Sequence, residues 1–452
     1  MQVTNAGEII ESSKFNKFHG MLLFWGALIM VFDGYDLTIY GAVVPSIMKE
    51  WGITPVETGM IGSYALMGMM LGALIFGTIA DRIGRKKVIL ICTFIFSLFM
   101  LLAGFAALAK SPELFGLCRF ITGLGLGGVM PNVIGLISDF SSKRTRSRMI
   151  ATIMAGFSIG GVLAATLSIV IIPNFGWHSV FFFGALPLLL LPLLARTLPD
   201  SVGTYLVKKD YKQLKELLVK VNPLYKPSEN EQFILNGIEK STSTVTSLFS
   251  NRRAFSTVMF WLAYFMSLLM IYGLNTWLPK LMNEAGFPLG SSLSFLLALN
   301  VGATVGAILM GWVADRFGVK RMLIMFYIVA AITILSLGFA TNMFLLYLLV
   351  AIAGATTIGS QNLSNSYVSQ FYPVSMRSTG LGWALGIGRI GGIVGPMLGG
   401  YLLASTLTLQ TNFLVFALPG VIAALAIFFT DRKSKKAEAT VSDSEEQITS
   451  IT

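Results

Sequence analysis

Apolar residues in this chain run in long blocks, and charged residues gather in short clusters between them. Thr58–Ala80 and Val88–Ala109 contain no Asp, Glu, Lys or Arg. Met149–Ala195 is free of such charge for long enough to cross a bilayer twice, with Pro173-Asn174-Phe175-Gly176 as the turn. Met322–Met376 is equally bare and breaks near Ala340-Thr341-Asn342. A helix needs about 20 apolar residues to cross the hydrocarbon core. The blocks do not alternate with period two, which excludes a lipid-facing barrel. This pattern predicts twelve spanning helices near 20–48, 57–80, 86–108, 112–139, 146–172, 176–197, 253–283, 289–314, 320–340, 342–371, 377–405 and 408–430.

Composition agrees. The 452 residues are 54% hydrophobic and 12% charged, about half the charge of an average soluble protein. Separate soluble domains are thereby excluded. The net charge of +11 would suit nucleic acid, but its placement points elsewhere. Of the 33 Lys and Arg, 28 fall in the termini and loops on one side of the predicted bundle. Three (Lys49, Lys110, Lys280) fall on the other, and Arg119 and Arg389 lie inside spans. Cytoplasmic loops carry the excess of Lys and Arg, so both termini are expected in the cytoplasm and no nucleic-acid partner is needed. The first apolar block is too long for a cleavable signal and lacks a small-residue cleavage site, so it is expected to stay as a span. Cys92 and Cys118 lie in apolar runs and form no disulfide or metal spacing. The polar stretch 198–252 is the one long loop, and 208–240 within it is expected to form a surface helix against acidic headgroups. The acidic, Ser/Thr-rich tail 431–452 reads as disordered.

The two halves repeat. Gly77-Thr-Ile-Ala-Asp81-Arg82-Ile-Gly84-Arg85-Lys86-Lys87 precedes the third span, and Gly311-Trp-Val-Ala-Asp315-Arg316-Phe-Gly318-Val-Lys320-Arg321 precedes the ninth, 234 residues later. That offset also pairs Pro45 with Pro279, Glu50 with Glu284 and Gly52 with Gly286. An offset of 231 pairs Asp139-Phe140 with Gln370-Phe371 and Arg146-Ser147 with Arg377-Ser378. The fold class expected is an all-α membrane protein, twelve transmembrane helices in two pseudo-symmetric six-helix bundles. The domains expected are residues 1–197 and 253–430, the linker loop 198–252 and the tail 431–452. In each loop, Gly77 and Gly311 are expected to let neighbouring helices approach closely, and Gly84 and Gly318 to permit a sharp turn. Asp81 and Asp315 are expected to face helix N-termini of the opposite half, with Arg82, Arg85 and Arg316 among the headgroups. Such contacts would latch that side shut.

With these loops in view, the sequence resembles the major facilitator superfamily over essentially its whole length. Arg119-Phe-Ile-Thr-Gly123-Leu-Gly125 resembles a second superfamily motif. Pro199-Asp200-Ser201 is similar to the Pro-Glu-Ser of sugar and organic-anion porters, although Val202 replaces the Arg that usually follows. The fifth span, Gly156-Phe-Ser-Ile-Gly160-Gly161, lacks the proline of drug antiporters, which argues against export by antiport. Asp33-Gly34-Tyr35-Asp36, the run from Ile61 to Met70 and the run from Met376 to Gly391 resemble the aromatic acid:proton symporters, most of all their benzoate-type members. Gly176-Trp177-His178 departs from their usual Gly-Trp-Arg. The resemblance implies that substrate binds between the two halves at mid-depth.

Four ionisable residues fall near the bilayer interior: Asp33, Asp36, Arg119 and Arg389. Intramembrane charges are costly and normally face a cavity or a partner. Asp33 and Asp36, three apart, share a helix face, and two close carboxylates resist joint ionisation, so the pair is expected to carry the coupled proton. A guanidinium grips a carboxylate with two parallel bonds. Arg389, with Gly382 and Gly386 on its face, is the leading anion anchor, and Arg119 the second. Tyr64, Gln361 and Asn365 are polar candidates for the substrate, and Tyr35 and Trp383 could stack an aromatic ring. Trp177 and Trp277 read as interfacial belt residues, and His19 and His178 as lying outside the bundle. No nucleophile–base pair or metal cluster appears, so neither an enzyme nor a cofactor is expected. The reading is proton-coupled uptake of a small aromatic carboxylate across the cell membrane by a monomer. The alternatives are another organic anion, such as nicotinate or a non-aromatic hydroxy acid, or a sensor that binds the anion without moving it.

Overall fold

The structure, a computed structural model, describes residues 2–207, 210–227, 231–234, 245–250, 253–373, 376–405 and 407–430. The order is β1 (Gln2–Asn5), α1 (Ala6–Glu11), α2 (Lys17–Trp51), α3 (Pro55–Ile83), α4 (Arg85–Leu108), α5 (Pro112–Asp139), α6 (Lys143–Phe175), α7 (Ser179–Gly184), α8 (Pro187–Thr197), α9 (Val202–Val207), α10 (Tyr211–Val221) and β2 (Glu231–Ile234). A short 3₁₀ turn, Val245–Phe249, leads to α11 (Ala254–Glu284), α12 (Leu289–Phe317), α13 (Val319–Leu337), α14 (Met343–Phe371), α15 (Arg377–Ala404) and α16 (Leu409–Phe429). Among the described residues, twelve helical stretches are long and apolar enough to span a membrane, matching the expected spans to within a few residues. Phe24, Leu74, Leu189, Ile308, Phe344 and Phe428 are each at least 60% exposed. In water that apolar exterior would aggregate, whereas lipid tails cover it without cost.

Local chemistry sets the helix ends. Thr54 and Glu57 cap α3 reciprocally, with Pro55 in its first turn. Gly84, at φ +93°, makes the sharp turn from α3 to α4, and Gly318, also at +93°, repeats it from α12 to α13. The sixth span breaks into α7 and α8 because Pro187 has no N–H for the Phe183 carbonyl; Leu186 N–H bonds that carbonyl instead, at 3.1 Å.

The described residues form two compact units: those within 2–234, 275–301 and 396–405, and those within 245–274, 302–395 and 407–430. In the first, α3 and α5 meet backbone to backbone. A Cβ on Gly68 or Gly72 would lie 2.0 Å from the carbonyl oxygen of Phe120 or Leu124, and Gly123 and Gly127 make the reciprocal contacts with Ala65 and Met69. In the second unit, Gly302 and Gly306 place α12 against Ala351 and Ala355 of α14 in the same way. These glycines are Gly68 and Gly72 displaced by the repeat offset of 234. Small residues four apart allow such close approach where lipid gives no hydrophobic drive. The first unit also takes in the ends of α11 and α15, where Gly41 touches the Asn275 carbonyl, Gly59 that of Pro396 and Gly400 that of Pro55.

The linker departs from expectation. Among the described residues of 208–240, the helix is the eleven residues of α10, and β2 follows it. Asn222 precedes Pro223 and is extended at φ −130°, as the proline ring requires. β2 pairs in parallel with β1, so the N-terminus and the linker form a small cap on the first unit. Asn16 Nδ2 fastens it, donating to the carbonyls of Lys220 and Val221 at 3.1 and 3.0 Å. The tail 431–452 lies outside the described residues.

Candidate functional site

In the first unit, Asp33 and Asp36 lie one turn apart on α2, both fully buried, as expected for a shared face. Gly34 between them brings α2 onto α6: a Cβ there would lie 1.9 Å from the Phe157 carbonyl oxygen. Arg119 of α5 is equally buried, and its Nη1 forms a short ion pair with Asp36 Oδ1. The guanidinium carbon sits 5.4 Å from the Tyr40 ring centre and 6.0 Å from that of Phe181. Asp36 Oδ2 and Arg119 Nε are buried without a hydrogen-bond partner among the described residues. Arg119, expected as a substrate anchor, and Asp36, expected as a proton carrier, thus hold each other.

Tyr35 does not present a stacking face. Its hydroxyl donates to the Val180 carbonyl at 2.8 Å and its ring packs on Phe32 and Phe183, leaving no exposed surface. Tyr64 is part-exposed and lies over Gly116, so it packs α3 on α5.

In the second unit, Arg389 of α15 is partly buried, with no ion pair or hydrogen bond among the described residues. Side chains at Gly382 or Gly386 would meet nothing within 4 Å, so the helix is open there, as expected. Tyr264 of α11 ties α15 to α14. Its Cβ contacts Gly388, the neighbour of Arg389, and its hydroxyl donates to Asn365 Oδ1 at 2.7 Å. One turn before Asn365, both amide atoms of Gln361 are buried without a partner among the described residues. Unmade amide bonds of this kind cost about 1–3 kcal/mol, which a polar ligand would recover. Trp383 is part-exposed and stacks on Trp261 with centroids 5.7 Å apart. Tyr264 and Trp261 were missed from the sequence, where no signal separates them from lipid-facing aromatics.

The loop motif is held within the first unit. Arg85 was expected among the headgroups but pairs with Asp139 of α5 at 2.6 Å. Gly135, one turn earlier, leaves room for its guanidinium. Asp200 of the Pro-Asp-Ser motif packs against the Gly84 turn. Gly77 does not hold two helices close here, because a Cβ would meet nothing within 4 Å. Arg82 is exposed, Arg316 lies over the Phe317 ring at 5.9 Å, and Gly318 faces open space. The side chains of Asp81 and Asp315, and Gly311, lie outside the described residues.

Three further expectations are corrected. Trp177 and Trp277 are buried in the protein rather than facing lipid: the indole N–H of Trp177 donates to the part-exposed Glu50 carboxylate at 2.6 Å, and that of Trp277 to the Pro396 carbonyl at 2.8 Å. His19 is buried against the Phe140 carbonyl at 3.1 Å rather than outside the bundle.

The chain matches the Major Facilitator Superfamily profile over residues 26–308 and 291–451. It belongs to that superfamily. It is therefore a multi-pass membrane transporter and not an enzyme. Within the superfamily it is 42% identical to the benzoate transport protein of Acinetobacter baylyi, over 96% of this chain and 94% of that one. It is 36% identical to the gentisate transporter of Corynebacterium glutamicum, over 94% and 90%. The resemblance read from Asp33-Gly34-Tyr35-Asp36 thus holds along the whole chain. The crystal structure of a D-xylose-proton symporter shares the fold, with a TM-score of 0.73 at 17% identity over 93% of this chain and 99% of that one.

Proposed function

We propose that this major facilitator chain imports a small aromatic carboxylate together with a proton, by alternating access across the cell membrane. The observation that carries this reading is Arg389, a partly buried guanidinium inside a spanning helix, beside open space, with no acid bonded to it among the described residues. A permanent cation at that depth is costly without a counter-ion, and a carboxylate fits its planar fork. Gln361 offers unused amide groups on α14, and Trp383 an exposed ring on α15. The benzoate and gentisate transporters among its relatives support an aromatic acid.

The proton belongs to Asp33 and Asp36. Asp36 Oδ1 holds Arg119 while Oδ2 is open, so Oδ2 is the loading atom. Protonation neutralises the carboxylate and loosens its hold on Arg119, and Asp33 supplies the second carboxylate of the pair. One proton carried with one monovalent anion is electroneutral, so the pH gradient alone can drive accumulation. The halves 1–197 and 253–430 act as the rocking bodies, with the loop motifs as latches and both termini in the cytoplasm, and a monomer suffices.

The test is uptake of labelled benzoate by the purified protein in proteoliposomes under an inward proton gradient. Accumulation that a protonophore collapses is expected. Neither uptake nor counterflow above protein-free liposomes, despite measured binding, would make the chain a sensor instead.

A further inference from the structure

A groove of about 980 Å³ opens on the first unit where α2 and α4 begin and α8 ends. Lys17, Lys86, Arg196, Lys212 and Lys220 line it, and Glu216 is the one acid among its described lining residues. No ion pair joins any of these six among the described residues. Beneath them, Phe18, Met21, Leu198 and Leu217 give an apolar floor. The far wall is set in place, because α10 buries Leu214 and Leu218 and Asn16 grips its C-terminal carbonyls. Lys17, Lys86 and Arg196 sit at the ends of spanning helices, which puts the groove at the membrane boundary.

Five cations against one acid call for an anion, and the apolar floor beneath them calls for an amphiphile. We propose that the groove binds an anionic phospholipid, its phosphate among the lysines and the upper part of its chains on the apolar floor. The lipid then fastens linker helix α10 to the beginnings of α2 and α4. A free phosphorylated molecule shares the phosphate chemistry but has no use for the floor.

The probe is phosphatidylglycerol titrated onto the detergent-purified protein against phosphatidylcholine, with bound lipid counted by native mass spectrometry. Lysines at a membrane surface contribute about 1 kcal/mol each. Lys17→Gln/Lys212→Gln/Lys220→Gln should therefore weaken phosphatidylglycerol on the order of 100-fold, while the matching triple Lys→Arg variant retains it. Glu216→Gln should bind about two- to fivefold tighter, the size of one exposed charge pair, a gain that misfolding cannot imitate. Unchanged affinity in both the Gln triple and Glu216→Gln would overturn the proposal. So would displacement of the lipid by millimolar glycerol 3-phosphate, which would make a soluble phosphate the ligand.

Discussion

Asp36 and Arg119 are each 1% exposed, yet they are unequal partners. A buried carboxylate that loses its cation can take up a proton and become neutral, whereas a guanidinium cannot shed one. Breaking a buried pair costs about 3–5 kcal/mol when a charge is left behind. Arg119→Gln should thus keep most of its thermal stability, while Asp36→Asn strands a cation and loses that full amount. The double variant Asp36→Asn/Arg119→Gln should recover most of it. Benzoate should stabilise Asp36→Asn more than the parent protein, because it brings a carboxylate to a guanidinium left without one. Thermal unfolding in detergent measures all three, and equal losses in the single variants with no recovery in the double would reject the argument.

Helices in this protein are placed largely by where glycine lets backbones touch. Gly68→Leu would drive a side chain into the Phe120 carbonyl, 2.0 Å from the new Cβ. Overpacking of that kind costs about 1–3 kcal/mol or more, and here neither rigid backbone can yield. Gly77→Leu meets nothing within 4 Å and should leave the fold intact. Size-exclusion profiles of the two variants check this; a monodisperse Gly68→Leu with unchanged Tm would refute it. The pair also shows what the sequence could reveal. Spans were legible because a charge-free run reports the hydrocarbon thickness directly. The repeat was legible because Gly77 and Gly311, or Gly84 and Gly318, recur at one offset. Which glycine touches a neighbour was not, since Gly68 and Gly77 read alike along the chain. Contacts between distant segments leave no periodic trace, so the Asp139 partner of Arg85 and the β1–β2 pairing went unseen. At the site, Asp33, Asp36, Arg119 and Arg389 announced themselves as charges in apolar runs. Tyr35 misled because its burial depends on the Val180 carbonyl, far along the chain.

Across the whole molecule the two halves match in shape more than in charge. Val319 and Gln370 stand where the repeat places Arg85 and Asp139, so both members of that ion pair are missing from the second half together. The Lys and Arg bias predicts a cytoplasmic linker. Leu224, 78% exposed, is a clean reporter: Leu224→Cys should resist an impermeant thiol reagent in intact cells and react once they are broken, and labelling of intact cells would reverse the topology. Coupling is also a property of the whole cycle. Net uphill uptake requires the carrier to load a proton outside and lose it inside on every turn. Exchange of labelled for unlabelled substrate requires only that the loaded carrier reorient, with its proton still bound. Asn resembles a protonated carboxyl in size and neutrality, so Asp33→Asn or Asp36→Asn should abolish accumulation driven by pH yet retain exchange, most visibly at substrate concentrations that offset the instability of Asp36→Asn. Arg389→Lys should weaken both activities, because a point charge lacks the planar fork that holds a carboxylate. If both Asn variants still concentrate benzoate under an inward proton gradient, the two aspartates are structural and the proton travels by another residue.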